Sequence, residues 1–248
     1  MNRYFNVNLE FNHQILENKI NEMIISKKKG YVCVVDANVL TISQKDLSYR
    51  EILNSSSINT CDGSSIALLA GKIYKKKFRA LNGPDIFANY IEKNFKQLLL
   101  GSTEDICQNI KNTLEAKNIE SSHLNFMPLS FLSVENFDYV SIAKEINLLK
   151  PEIIWVSLGA PKQERFMFNL FPFLDSGVMF GIGAAFNFYN GNLGLPKIRI
   201  GALKFIWLNR LLNEPNKMFL RLTNYILIIP KLIFEEKRRY NKIKSNIK

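Results

Sequence analysis

Short apolar runs rich in β-branched residues alternate with helical patterns from residue 31 onward. The predicted strands are Tyr31–Val35, Gln97–Gly101, Leu124–Met127, Glu152–Gly159 and Val178–Gly183. The predicted helices are residues 66–74, 83–95, 103–117 and 139–149. Continuous apolar runs of this length are typical of buried parallel strands, and intervening helices are the usual connections between such strands. The pattern therefore predicts an α/β fold whose largely parallel sheet is flanked by helices.

Ligands of such sheets bind beyond the carboxyl ends of the strands, so the segments that follow the strands are the first candidates for a site. These segments are residues 36–38, 62–65, 101–105, 157–164 and 183–191. Asp62 is most simply a helix N-cap or turn residue, but it could also accept a proton from an attacking hydroxyl. Asp36 is a second strand-end carboxylate, and Asn38 could bind a sugar or ribose hydroxyl.

The segment Trp155–Glu164, WVSLGAPKQE, joins a predicted strand to a predicted helix through a turn of small residues. The free N–H groups of such a turn and the positive end of the helix dipole favour a bound phosphate, to which Lys162 and Gln163 could add side-chain donors. Alternatively, Gly159 and Pro161 only shape a tight turn, and Glu164 favours the helix start electrostatically. On the residues alone, the two interpretations have about equal support.

The positive charge of the chain is concentrated at its C-terminal end. The formal net charge is +11 over 248 residues, and residues 197–248 hold 13 basic and 3 acidic residues, a net charge of +10. The remaining residues are nearly neutral. The sequence therefore predicts an α/β catalytic domain over residues 1–196 and a basic helical appendage over residues 197–248. Such an appendage indicates an anionic partner, which is either a membrane surface or a nucleic acid.

The cysteine and histidine content argues against several classes of site. The three cysteines, Cys33, Cys61 and Cys107, lack a C-x-x-C spacing and are typical of reduced, mostly buried thiols in a cytosolic protein. His13 and His123 have no second ligand at helical spacing, so neither a histidine metal centre nor a Ser-His-Asp triad is expected. We also expect no signal peptide and no membrane-spanning segment.

Six motifs follow one another along the chain at characteristic separations. They are NTCDG (59–63), NGPDIF (82–87), LLLGSTED (98–105), VSLGAPKQE (156–164), GIGAAFNFYNG (181–191) and WLNRLLNEP (207–215). Together they resemble the bacterial WecG/TagA/CpsF glycosyltransferases over roughly residues 30–222. The resemblance implies a Rossmann-like fold. It also implies inverting transfer of an N-acetylmannosamine-like sugar from a UDP-sugar to an undecaprenyl-diphosphate-linked acceptor, in bacterial surface polysaccharide synthesis.

The resemblance also assigns roles to individual residues. Asp62 matches the family's proposed general base, Gln163 the glutamine of its donor-site motif, and Asn38 the asparagine of its T-x-N motif. Two departures from the family pattern bear on the identity of the transferred sugar. Asp36 replaces the threonine of T-x-N, and Asn187 replaces an aspartate. The residues expected to bind substrate are Asp36, Asn38, Arg79, Asn82, Asp85, Gly159, Lys162, Gln163, Glu164, Asn187, Arg210, Lys217 and Arg221. Whether Asp36 or Asp62 is the base stays open, and no metal or other cofactor is expected.

The resemblance implies that the appendage docks on the cytoplasmic face of the membrane. Arg210, Lys217 and Arg221 share one helical face at spacings of seven and four and could grip the acceptor diphosphate. The chain would then be a peripheral protein of the inner membrane face. Two alternatives stay open: a scaffold of the same fold that has lost catalysis, and a nucleic-acid-binding protein whose basic segment holds phosphates.

Overall fold

A computed structural model describes residues 3–189, 199–200, 203–204 and 215–246 of the chain. Its strands are β1 Arg3–Tyr4, β2 Val7–Asn8, β3 Gly30–Val35, β4 Ile58–Cys61, β5 Gln97–Leu100, β6 Leu124–Met127, β7 Ile153–Val156, β8 Val178–Gly181, β9 Arg199–Ile200 and β10 Leu203–Lys204. Strands β3 to β8 form one sheet in the order β4-β3-β8-β7-β5-β6, and every pair in it is parallel. The predicted α/β, Rossmann-like class is confirmed.

Helices cover both faces of this sheet. They are α1 His13–Ile25, α2 Ala37–Lys45, α3 Leu47–Asn54, α4 Ser64–Tyr74, α5 Gly83–Ile91, α6 Glu104–Glu115, α7 Tyr139–Leu149, α8 Lys162–Leu170, α9 Ala185–Tyr189 and α10 Pro215–Asn246. At the starts of α1, α2, α3, α6 and α7, backbone N–H groups donate hydrogen bonds to the side-chain oxygens of Asn12, Asp36, Asp46, Thr103 and Asp138, respectively. These caps fix where the helices begin, because the first N–H groups of a helix have no partner within it.

The core lies on both faces of the sheet because the side chains of each strand alternate between them. In β7, Ile154 and Val156 pack on one face, and Ile153 and Trp155 pack on the other. Trp155 is fully buried, and its Nε1 donates a hydrogen bond of 2.7 Å to Gln97 Oε1. Burial on both sides explains why these strands read as continuous apolar runs in the sequence.

The N-terminal segment contains many polar residues but contributes to the core. Tyr4, Phe5, Val7, Leu9 and Phe11 are all buried. Its last part lies along the edge of the sheet, since Glu10 forms a parallel bridge with Thr60 of β4. The apolar residues at every second position from Phe5 to Phe11 are the ones that are buried.

Further differences concern the bounds and kinds of elements. Helices α1 to α3 and strand β4 were not among the predicted elements, and β7 ends at Val156, three residues before the predicted strand end at Gly159. Near Ile198, where only helical pattern was expected, β9 and β10 form a short antiparallel pair. Strands of two or four residues are too short to show a hydrophobic period in the sequence. Whether they form therefore depends on the strands with which they pair.

Helix α10 packs against the body of the protein, on α2 and α4. Leu232 is buried in the same core cluster as Ala70 and Ile73 of α4. Tyr74 donates its hydroxyl to Glu236 Oε1 at 2.5 Å, and Lys45 Nζ donates to Asn224 Oδ1 at 2.6 Å. The predicted boundary at residue 196 lies outside the described residues. Within them, no helix is both long and apolar enough to span a membrane.

Candidate active site

Two aspartates meet at the carboxyl edge, the edge of the sheet where strands β3 to β8 end. Val35 and Cys61 are register partners in β3 and β4, and Asp36 and Asp62 directly follow them. The backbone N–H of Asp62 donates to Val35 O at 2.8 Å, which keeps the two chains paired up to the aspartates. Parallel pairing therefore brings side by side two acids that are 26 positions apart in the sequence.

The two aspartates differ in what they do for the local backbone. Asp36 is the N-cap of α2, where its Oδ1 accepts the Val39 N–H at 2.8 Å. The N-cap of α4 is Gly63, with a φ of 118° and no side-chain capping bond. The interpretation of Asp62 as a helix N-cap is therefore wrong, and its half-buried side chain lies beside the start of α4 instead.

Both aspartates affect the pKa of the Cys61 thiol. Burial raises the pKa of its thiol well above the usual range, and the negative charges of Asp62 and Asp36 raise it further. The thiol therefore stays protonated at neutral pH. All three cysteines are buried and free, as the sequence predicted.

The segment from Arg79 to Asn82 runs beside β4 and brings the start of α5 to the same edge. Leu81 N donates to Cys61 O at 2.9 Å, and Thr60 Oγ1 donates to Leu81 O at 2.9 Å. Gly83 then begins α5 against β8, where an added Cβ would lie 3.3 Å from Ile182 O. Glycine thus permits the close approach of α5 to the end of β8. Asn82 is half-buried at this start, while Arg79 and Asp85 are exposed.

Gln163 joins the turns that follow β7 and β8. Its Oε1 accepts the N–H groups of Gly159, at 3.2 Å, and of Gly183, at 3.0 Å. Ser157 Oγ adds a hydrogen bond of 2.7 Å to Gly183 O. Both glycines have positive φ angles, 75° and 55°, which explains glycine at these positions. The predicted turn of small residues before α8 is therefore present, and it is tied to a second glycine turn.

Glu164 lies beneath these turns with no exposed surface. Its Oε2 accepts the Tyr49 hydroxyl at 2.9 Å, and its Oε1 accepts Gln163 Nε2 at 2.8 Å. Burial raises its pKa to about 7; the hydrogen bonds from Gln163 and Tyr49 oppose the shift, and the charge of Asp36 adds to it. Both oxygens of Glu164 are thus engaged within the protein and buried, and its expected place among the substrate-binding residues stays a prediction.

Lys162 and Asn38 also lie near the edge. The Lys162 ammonium lies 5.3 Å from the ring centroids of Phe131 and Phe137, in the loop after β6. This arrangement is a cation–π contact that leaves the side chain half-exposed. Asn38 is in the first turn of α2 and is only 8% exposed.

The remaining predicted residues lie farther along the chain. Asn187 is half-buried on α9, a helix that packs on α5 through Phe186 and Phe87, whose ring centroids are 5.1 Å apart. Arg210 lies outside the described residues, as does the side chain of Lys217. Arg221 is one turn before Asn224 on α10, so its expected place at the acceptor diphosphate stays a prediction.

The residue pattern alone did not point to Tyr49 as a part of the site. Tyr49 is in α3, which was not predicted, and it reaches Glu164 across 115 positions of sequence. Gly183 lies in the segment 183–191 that the sequence named as a candidate, but its hydrogen bond to Gln163 was not predicted. No group of three or more His, Cys, Asp or Glu side chains suited to a metal ion occurs among residues 3–189 and 215–246. Independence of metal remains a prediction.

Comparison with known proteins shows the family of the chain. The sequence profile of the Glycosyl transferase WecG/TagA/CpsF family matches residues 4–242, so the similarity includes the N-terminal segment that packs along β4. A Bacillus subtilis (strain 168) protein named N-acetylglucosaminyldiphosphoundecaprenol N-acetyl-beta-D-mannosaminyltransferase is 25% identical over 222 residues, 87% of this chain and 84% of the relative. A Staphylococcus aureus (strain MW2) protein of the same name is 23% identical over 209 residues, 81% of this chain and 79% of the relative. The protein is therefore a member of the WecG/TagA/CpsF glycosyltransferase family.

Proposed function

We propose that this glycosyltransferase moves an N-acetylmannosamine-like sugar from a UDP-sugar to a sugar on undecaprenyl diphosphate, with inversion at the anomeric carbon. The observation that carries the proposal is the pairing of Asp36 and Asp62 at the carboxyl edge, in a chain that belongs to this family. The acceptor and the transferred group are those in the names of the two relatives. Such a reaction would contribute to the synthesis of a bacterial surface polysaccharide.

In this proposal Asp62 is the general base. Inverting transfer needs a group that takes the proton from the acceptor hydroxyl as the new glycosidic bond forms, and a carboxylate can do so. Asp36 Oδ1 is committed to the Val39 N–H at the start of α2, whereas the N-cap position of α4 is held by Gly63. Asp62 also matches the proposed general base of the family, so we assign that role to Asp62, and Asp36 is assigned to the binding of a substrate hydroxyl together with Asn38.

The departing diphosphate needs stabilisation of its negative charge. The Gly159 turn lies at the N-terminal end of α8, where backbone N–H groups and the helix dipole favour an anion. Lys162, half-exposed at the first turn of α8, and the exposed Arg79 could add positive charge. These groups can act without a metal ion, which is why we propose a metal-independent reaction.

The test is a transfer assay with the purified full-length chain. UDP-N-acetylmannosamine and N-acetylglucosaminyl-diphosphoundecaprenol are supplied in detergent, and both UDP release and the lipid-linked disaccharide are measured, with and without EDTA. We expect product of β configuration in both conditions. A panel of other UDP-sugars would identify a different donor. Binding of donors without turnover on any acceptor would favour the scaffold alternative and contradict the enzyme.

Helix α10 supports a peripheral membrane location through its outward face. Ile226, Leu227 and Phe234 are 72%, 72% and 69% exposed, at positions that share one side of the helix. The exposed basic residues Lys231 and Lys237 lie among them. An apolar stripe with adjacent cations is typical of a helix that lies in the interface of an anionic membrane. We propose that this face of α10 binds the inner leaflet.

This face can be tested with vesicles. The triple variant Ile226→Glu, Leu227→Glu, Phe234→Glu should bind phosphatidylglycerol-containing vesicles at least about 10-fold more weakly, because each substitution removes apolar surface from the lipid and adds repulsion. A matched control carries Ile25→Glu, Leu148→Glu and Phe173→Glu, which are exposed on other elements. Cosedimentation of both variants is compared with the unmodified chain.

Equal binding by the triple variant and its control would contradict docking through α10. The same proteins are tested with random duplex DNA, whose binding depends strongly on salt. Tight, salt-sensitive DNA binding without vesicle binding would favour the nucleic-acid alternative.

A further inference from the structure

A buried chain of hydrogen bonds leads from α3 to both glycine turns of the site. Tyr49 donates to Glu164, Glu164 accepts from Gln163, and Gln163 accepts from the backbone of Gly159 and Gly183. Tyr49 and Glu164 are fully buried, and Gln163 is 4% exposed. The chain therefore connects the interior of the protein to the two turns without passing through solvent.

The two N–H groups at the turns determine how the Gln163 amide must point. A glutamine amide has one oxygen that accepts and one nitrogen that only donates. Two converging N–H donors require the oxygen on their side, so the nitrogen faces the opposite side and needs an acceptor there. Glu164 supplies that acceptor, and without it the buried amide nitrogen would lose a partner at a cost in free energy. Glu164 thus selects the orientation in which Gln163 can join the turns.

We propose that Glu164 is a positioning residue, held by Tyr49, that orients Gln163 so that the Gly159 and Gly183 turns stay joined in the geometry needed for the donor substrate. The functional part of this inference rests on the proposed sugar transfer. The structural part, the coupling of Glu164 to the two turns, does not depend on it.

The charge state of Glu164 should control this coupling. Its pKa of about 7 places the change between its neutral and ionised forms near neutral pH. The ionised form has only acceptor oxygens, which suits its two donors, whereas the neutral form carries a proton that competes with one of them. The titratable groups around it are Asp36 at the start of α2, Cys33 on β3 and Tyr49 on α3. Arg165 on α8 lies 5.6 Å from the Tyr49 ring and pairs with Asp46.

The first test is independent of activity. Backbone amide shifts of Gly159 and Gly183 are followed by NMR in the full-length chain between about pH 5 and pH 9, a range that brackets the expected transition. Both should titrate together with a midpoint near 7, and Glu164→Gln should abolish the titration. Tyr49→Phe should move the midpoint to higher pH, because it removes a hydrogen bond that lowers the pKa of Glu164.

The matched control is Tyr90→Phe, which removes another buried tyrosine hydroxyl, the donor to Asn21 Oδ1. It should leave the titration of the two glycines unchanged. Flat shifts in the unmodified chain, or the same midpoint in Tyr49→Phe as in Tyr90→Phe, would overturn the inference. Because Tyr49→Phe is nearly isosteric, it keeps the test decisive even where Glu164→Gln does not fold.

The second test uses the transfer assay. Glu164→Gln should lower kcat/KM for the sugar donor on the order of 10- to 100-fold through misplacement of the turns, while KM for the lipid acceptor changes little. The rate of the unmodified enzyme should fall as pH drops below 7, and in Tyr49→Phe this fall should begin at higher pH. An equal loss toward donor and acceptor would contradict a positioning role at the donor. A chain without transferase activity would refute the proposed function, and the NMR result would still decide the coupling.

Discussion

Replacement of Asp62 by Asn is expected to lower kcat for sugar transfer by about 10²- to 10⁴-fold, the usual contribution of a general base. The amide keeps the shape of the side chain but cannot take the proton of the acceptor hydroxyl. The measurement is the initial rate of UDP release in the presence of the lipid-linked acceptor. Asp62 is half-buried, and asparagine has nearly the same shape and keeps an acceptor oxygen, so the replacement should change the unfolding midpoint little.

The matched variant is Asp36→Asn, which places the same change on the neighbouring strand end. It should weaken substrate binding but largely keep the start of α2, since an asparagine Oδ1 can also accept the Val39 N–H. Its effect on kcat should be smaller than that of Asp62→Asn. The reverse order, with Asp62→Asn near normal and Asp36→Asn inactive, would transfer the role of base to Asp36.

Replacement of Trp155 by Ala is expected to lower the free energy of unfolding by about 3–5 kcal/mol, the range for removing a large buried aromatic side chain. The indole lies 5.0 Å from the ring of Phe87 and 4.8 Å from that of Phe180, between centroids. Its loss also leaves Gln97 Oε1 without the indole donor. Urea denaturation followed by circular dichroism measures the effect.

Two control variants separate the loss of stability caused by the missing indole packing from other causes. Trp155→Phe keeps most of the packing but loses the hydrogen bond to Gln97, so it should cost less than the alanine variant. Phe168→Ala, on the exposed side of α8, should cost about 1 kcal/mol or less because that ring is already partly in water. A similar loss from Phe168→Ala and Trp155→Ala would show that Trp155 does not stabilise the core on its face of the sheet as its burial implies.

Much of the fold was predictable because its strands are buried on both faces. The runs around Val32, Trp155 and Phe180 contain no polar interruption, and such runs are stable only inside a parallel sheet covered by helices. The N-terminal segment was missed for the opposite reason. Its apolar residues alternate with polar ones, and the groups that bury them, the edge of β4 and the rings of Tyr74 and Phe78, are distant in sequence.

The site was predictable in its chemistry more than in its geometry. Asp36, Asp62 and the Gly159 turn follow strands, and parallel strands end at a common edge, so their convergence there follows from topology. The role of Glu164 did not follow. The sequence places it in the first turn of a helix, where an acid is usually solvent-exposed, whereas α3 covers it and Tyr49 binds it.

The sequence by itself determined the fold class, the edge where the site lies, the family and the uneven distribution of charge. These features depend on local pattern and on the order of motifs along the chain. Only the tertiary structure decided which carboxylate caps a helix, which one is buried, and how the two glycine turns are joined. Burial and hydrogen-bond partners come from residues distant in sequence, and in this site they set the pKa of Glu164 and the orientation of Gln163.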